Sequence, residues 1–101
     1  MSKVSVIGSL TCQEGRAAEM TVVLKNMVEA ARAEPGVEVY SYHQGPDNKF
    51  WFFALMWDAE SMKKHGQSKA MQDVMAAFGP LTDGPPQMTM TTPVAAIGLD
   101  L

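Results

Sequence analysis

Little in this chain can hold a metal or a covalent crosslink. Its 101 residues include one cysteine, Cys12, and two histidines, His43 and His65. An internal disulfide is therefore impossible, and no pair of thiols falls at the spacing of a zinc or iron–sulfur site. A lone thiol suits a reducing cytoplasm. Basic charge is also scarce, with eight Lys and Arg scattered among eleven Asp and Glu for a formal net charge of −3. Surfaces that grip nucleic acid or anionic lipid carry a basic excess or stripe, and this chain has neither. No apolar run approaches the ~20 residues of a membrane-spanning helix. The start, Met1-Ser2-Lys3, leads into a stretch broken by Ser5, Gly8 and Ser9, too short and polar for the apolar core of a secretory signal. Internal repeats and low-complexity segments are missing. The expectations are no metal, no nucleic acid, no membrane and a cytoplasmic location.

What is present is ordinary globular material, 47% hydrophobic and 19% charged. That length and composition fit one domain, residues 1–101, with a core over about 4–93 and a tail at 94–101. Lys3 to Cys12 alternates imperfectly, with Val4, Val6 and Leu10 opposite Ser5, Ile7, Ser9 and Thr11, and predicts a strand. From Arg16 to Ala33 the period lengthens: Met20, Val23, Leu24, Met27 and Ala31 fall at helical spacing. Glu34-Pro35-Gly36 stops that helix. Val37 to Gln44 predicts a second strand, with Val37, Val39, Ser41 and His43 on one face and Glu38, Tyr40, Tyr42 and Gln44 on the other. The turn formers Gly45-Pro46-Asp47-Asn48 make a hairpin with the next segment. Asp58 is placed to cap a short helix over Ala59 to His65, closed by Gly66. Ser68 is placed to cap another from Lys69 to Phe78 that buries Met71, Val74, Met75 and Phe78. Gln87 to Thr92 alternates again and predicts the last strand.

The order β-α-β-β-α-β, with its second helical layer split in two, predicts an α+β, ferredoxin-like antiparallel sheet with the helices on one face. The free sheet face of such a monomer should be polar. The third strand contradicts that. NKFWFFALMWD, Asn48 to Asp58, places Trp51, Phe53, Leu55 and Trp57 opposite Phe50, Phe52, Ala54 and Met56, so both faces are apolar. An exposed apolar patch of that size marks an interface or a ligand site.

Several segments together resemble the antibiotic biosynthesis monooxygenase family: VIGSLTCQEGRAAEM, the helix ending ARAEPGV, the strand VYSYHQG, the aromatic third strand, SMKKH and the closing GPLTDGPPQM. The resemblance runs over roughly Val4 to Pro93. It implies a homodimeric α+β barrel, in which two ferredoxin-like protomers stack their sheets and each keeps a pocket between sheet and helices. It also implies oxygenation of a small aromatic or hydrophobic molecule, such as a quinol or a polyketide-like ring, with no cofactor. The deprotonated substrate itself passes an electron to dioxygen, and the protein binds the ring, takes one proton and excludes water.

Within that resemblance His65, the last residue of SMKKH, matches the family's histidine at the end of the short helix and is the candidate base. The alternative is a structural imidazole at a helix C-terminus. Tyr40, Tyr42, Trp51, Phe53 and Trp57 are candidate substrate-binding residues; one or two are expected to touch a ligand and the others to serve as core or interface. His43 is expected to be a solvated strand histidine. The chain departs from the family pattern at Ala54, where many relatives carry a glutamate, at Met56, where many carry an aromatic, and at Ala70, where many carry a second histidine. Those losses favour the alternative of a non-catalytic dimer that binds a hydrophobic ligand. Haem-degrading proteins of similar fold use an asparagine and a histidine where Gly8 and Val74 or Met75 stand. An RNA-recognition sheet needs glycines and basic surroundings that the third strand lacks.

Overall fold

The computed structural model describes residues 3–99, without the side chain of Ala70. β1 (Val4–Thr11) is followed by α1 (Ala17–Ala31), the hairpin β2 (Val37–Gln44) and β3 (Lys49–Met56), then α2 (Ala59–Gln67), α3 (Lys69–Phe78), a 3₁₀ turn at Gly79–Leu81 and β4 (Gln87–Thr91). The strands form one antiparallel sheet in the order β2-β3-β1-β4. The fold is thus α+β and ferredoxin-like, as its element order implies.

Alternation along β3 decides which side chains meet the helices. Phe50, Phe52, Ala54 and Met56 lie on the inner face and are buried. Leu10, Phe50 and Phe78 pack there with Met20, Leu24 and Met27 of α1 and Met71 of α3. Val6 joins Phe52, Ala54 and Met56 in an adjoining cluster. Cys12 is buried and unbridged.

Two local features differ from simple periodicity. Gly66 does not close α2, which continues to Gln67 and ends where Ser68 turns extended, at φ −65 and ψ 145. Ser68 serves both helices, since its N–H donates to the carbonyl of His65 and its hydroxyl accepts the N–H of Met71 at 3.1 Å. In β2 a bulge lies between Val37 and Val39, so Val37 pairs with Met56 and Val39 with Leu55. The extra residue, Glu38, moves Val37 away from the face of Val39 and Ser41 to the inner side, where it packs, like Tyr40 and Tyr42, against the cluster of Val6, Phe52, Ala54 and Met56.

β1 must come very close to its neighbours. A Cβ on Gly8 would overlap the carbonyl oxygen of Gln87 and the ring of Phe52. The Phe52 ring occupies the space a side chain would need, and the Gln87 backbone cannot yield without loosening β4. Gly8→Ala is therefore expected to lower stability by about 1–3 kcal/mol, read as a drop in the urea midpoint with an unchanged slope.

Candidate functional site

Between the inner sheet face and the helices is a cavity of about 170 Å³. Its walls are apolar and soft. Met27 of α1, Met56 of β3, Met62 of α2, Met71 and Met75 of α3 and Met88 of β4 all line it. Thioethers on flexible stems adapt to varied ligand shapes. Met75 and Met88 are 46% and 62% exposed and mark the mouth; Met75, expected in the core from its spacing, stands at the rim instead. A larger furrow of about 520 Å³ runs between α1 and β2, but Lys25, Glu29 and Arg32 line it and it is open to water. The smaller, apolar cavity has the character of a ligand site.

Among the described residues three side chains on its wall can hydrogen-bond or exchange a proton: Tyr40, Tyr42 and His65. Their positions follow from local structure. Asp58 caps α2 by accepting the Ser61 N–H at 2.8 Å. That bond holds the Asp58 carboxyl below its usual range. His65 falls two turns later, in the last turn of α2. Its Nδ1 lies 2.9 Å from Oε2 of Glu34, with side chains only 11% and 19% exposed. Glu34 sits in the turn after α1. Gly36, at φ +94, lets that turn approach α2, since a Cβ there would strike Ser61. The Trp57 N–H donates to the Gly36 carbonyl at 2.8 Å and closes the junction.

The Tyr40 ring meets His65 edge to face, centroids 5.2 Å apart at 89°. Tyr40 and Tyr42 share a hydroxyl hydrogen bond of 2.8 Å. The Tyr42 hydroxyl also points at the Met27 sulfur, a long contact at 3.9 Å. Burial pushes the Tyr42 phenol far up, helped by the charge and hydrogen bond of Tyr40. Burial likewise raises Tyr40, and the Glu34 carboxylate adds to that, while the bond to Tyr42 opposes it. Both tyrosines therefore hold their phenolic protons to higher pH in the folded chain than in the unfolded one.

These are the only two tyrosines in the chain, which makes the effect measurable. The unfolded chain releases phenolic protons near pH 10, whereas the native chain retains them. Stability is thus intact below about pH 10 and declines as pH rises beyond it. A spectrophotometric titration is expected to show almost no tyrosinate until unfolding exposes both rings together.

The other expected ligand contacts, Trp51, Phe53 and Trp57, do not reach this cavity. They alternate with Phe52, Ala54 and Met56 along the chain and so lie on the opposite face. Trp51 and Trp57 are 46% and 49% exposed there, with Lys49 Nζ 4.7 Å over the Trp51 ring. His43 is also on that face, its Nε2 2.9 Å from Ser41 Oγ and exposed, as a solvated strand histidine should be. Ala54 is buried in the cavity wall, paired with Tyr40. The side chain of Ala70 lies outside the described residues. Among the described residues no three His, Cys, Asp or Glu gather as metal ligands, and no helix is long and apolar enough to cross a membrane.

The sequence pattern that defines the antibiotic biosynthesis monooxygenases matches residues 3–77. The chain belongs to that family. The matched segment holds Tyr40, Tyr42 and His65, and no curated protein matches the chain. Solved structures share its fold. A Caulobacter crescentus protein, provisionally assigned as an antibiotic biosynthesis monooxygenase, superposes with a TM-score of 0.88 at 24% identity, covering 93% of this chain and 92% of its own. A Chloroflexus aurantiacus protein with the same provisional assignment gives 0.83 at 24% identity, over 98% of this chain and 100% of its own. Rv0793 from Mycobacterium tuberculosis gives 0.85 at 21% identity, over 94% and 98%. At such identities the likeness is one of fold. Family membership supports a monooxygenase-type role in general terms, and chemistry particular to this chain must come from its own cavity.

Glu34 is the site residue that local sequence patterns miss. Its place before Pro35 reads only as a helix stop, and nothing local links it to a histidine 31 positions away.

Proposed function

We propose that this protein is a cofactor-independent monooxygenase that oxidises a quinol-like or polyketide-like aromatic with dioxygen. One observation carries the reading: an apolar cavity whose few polar groups, Tyr40, Tyr42 and His65, include one base and neutral phenol donors. Its volume of about 170 Å³ suits one aromatic ring, since a cavity of about 150 Å³ holds benzene. A larger ring system would extend past Met75 and Met88 at the mouth. His65 takes a phenolic proton, and the electron-rich anion gives one electron to dioxygen. The resulting radical pair joins at a hydrogen-bearing ring carbon as a peroxide, which takes back the proton held by His65 to become a hydroperoxide. Loss of water then leaves a carbonyl, so one oxygen atom stays on the product and the other leaves as water. Because one of the two phenolic protons is used in the Tyr40–Tyr42 bond, the other hydroxyl favours the anion by donating to it, and the apolar walls keep water from the intermediate.

The second surface completes this reading. Ile7, Trp51, Phe53 and Trp57 form an apolar outer sheet face, and Val94 and Ile97 in the tail after β4 are almost fully exposed. A second copy stacked on that face, giving a homodimeric α+β barrel, would cover it. A single buried thiol, Cys12, fits a reducing cytoplasm.

Oxygen uptake with a panel of quinols and anthrones tests the proposal. Consumption of one dioxygen per substrate, with one oxygen atom from labelled dioxygen in the product, is the expected result. Ala54, which leaves the cavity without the third-strand carboxylate of many relatives, favours a second reading, a non-catalytic dimer that binds a hydrophobic ligand. Tight binding of these aromatics with no uptake of oxygen would establish that one instead.

A further inference from the structure

Resting on the reading of His65 as the base, we propose that Glu34 is its positioning residue: its carboxylate accepts the Nδ1 proton, fixes the neutral ring as the Nδ1–H tautomer and leaves Nε2 to receive the substrate's proton. An ionised carboxylate has no proton to give, so at 2.9 Å the imidazole nitrogen must be the donor. A neutral imidazole carries one N–H, which makes Nε2 the acceptor.

The contact differs from the exposed ion pairs elsewhere. Arg16–Glu19, Arg32–Glu29 and Lys69–Asp73 each lie within three or four residues and are 43–85% exposed, the kind that contributes little. Glu34 and His65 join two separate elements and are mostly shielded. Backbone geometry sets the carboxylate in place. The Glu34 N–H donates to the Ala31 carbonyl at 3.0 Å, and the Gly36 carbonyl two residues on is held by Trp57. The Tyr40 ring, perpendicular to the imidazole, restricts it from another side. When Nε2 takes a proton, the imidazolium faces a carboxylate already in position, and the Nδ1 proton stays where it is.

Nitrogen-15 NMR of the imidazole in the full chain tests this, in a His43→Gln background that leaves one histidine. Above the pH at which the ring becomes neutral, the expected spectrum has a protonated Nδ1 and a bare Nε2. Glu34→Ala is expected to move the ring toward the Nε2–H form that free imidazole prefers in water. Glu34→Gln, whose amide oxygen still accepts, is expected to keep the Nδ1–H form. A ring protonated at Nε2 with Glu34 present overturns the proposal, as does a tautomer that Glu34→Ala leaves unchanged. The first of these needs no variant to fold. Since no substrate enters the measurement, an Nδ1–H ring together with no oxygen uptake refutes the enzyme reading while the positioning role stands. With an active substrate, Glu34→Ala is expected to lower kcat by about 10- to 100-fold with KM nearly unchanged.

Discussion

His65→Ala is expected to slow the oxidation of a quinol by roughly 10²- to 10⁴-fold, the contribution of a well-placed general base. That is about 3–5 kcal/mol of the barrier. Binding should change little, because most of the cavity's contact comes from methionine and phenylalanine walls that the substitution leaves in place. The complication is structural: removing the imidazole strands the shielded Glu34 carboxylate, and an unpaired polar group of that kind costs about 1–3 kcal/mol of stability. His65→Gln separates the two effects. Its amide can donate to Glu34 as the ring does, yet it has no basic nitrogen. It should therefore melt closer to the unaltered protein than His65→Ala and be equally slow. Initial rates of oxygen consumption at saturating substrate, beside equilibrium dialysis of the same quinol, give the two quantities. Full activity in His65→Gln would remove His65 from the role of base.

Much of the fold was legible because its signals are local. Asp58 and Ser68 cap helices through hydrogen bonds to residues three positions on, so residue type and spacing were enough. The aromatic third strand and the hairpin before it carry their own pattern. What escaped depends on pairing. The bulge at Glu38 comes from how β2 lies against β3, and strict alternation therefore put Val37 on the face of Val39. The direction of the third strand was equally closed to local reading, since both of its faces are apolar. Its partner strand holds the answer: Val6, Gly8 and Leu10 of β1 pair with Ala54, Phe52 and Phe50, and Ser5 and Ser9 pair with Leu55 and Trp51. That assignment keeps Tyr40, Tyr42 and His65 at the cavity and sends Trp51, Phe53 and Trp57 outward.

The site has a carboxylate, but from an unexpected element. Resemblance placed one on the third strand, where Ala54 stands. In the folded chain the carboxylate reaching the histidine is that of Glu34, from the α1–β2 turn. The small Ala54 leaves the wall beside Tyr40 apolar, and among the described residues the polar side chains around a bound ring are the two tyrosines and the imidazole. A charge on the strand would have to be desolvated when an aromatic entered. A charge held behind His65 by a hydrogen bond acts through the ring instead.

Ile7→Glu is expected to convert the proposed homodimer to monomers. Ile7 pairs with Phe53 and Thr89 across the two central strands and β4, near the middle of the outer face, and is half exposed in the single chain. A two-fold stack presents the same patch from both protomers, so one substitution alters the interface twice. Losing the remaining apolar burial and desolvating a carboxylate costs about 2 kcal/mol or more per copy. Two copies give about 4 kcal/mol, roughly a thousandfold in the dissociation constant. The single chain should tolerate the change, because the side chain already meets water and touches neither the helices nor the cavity. Sedimentation velocity over a micromolar concentration series reads the result: a dimer for the unaltered chain, a folded monomer for Ile7→Glu with an unchanged circular dichroism spectrum. A monomer for both would mean that the outer face has a different occupant. A dimer for both would place the interface elsewhere, with the exposed Val94 and Ile97 of the tail as the next surface to alter.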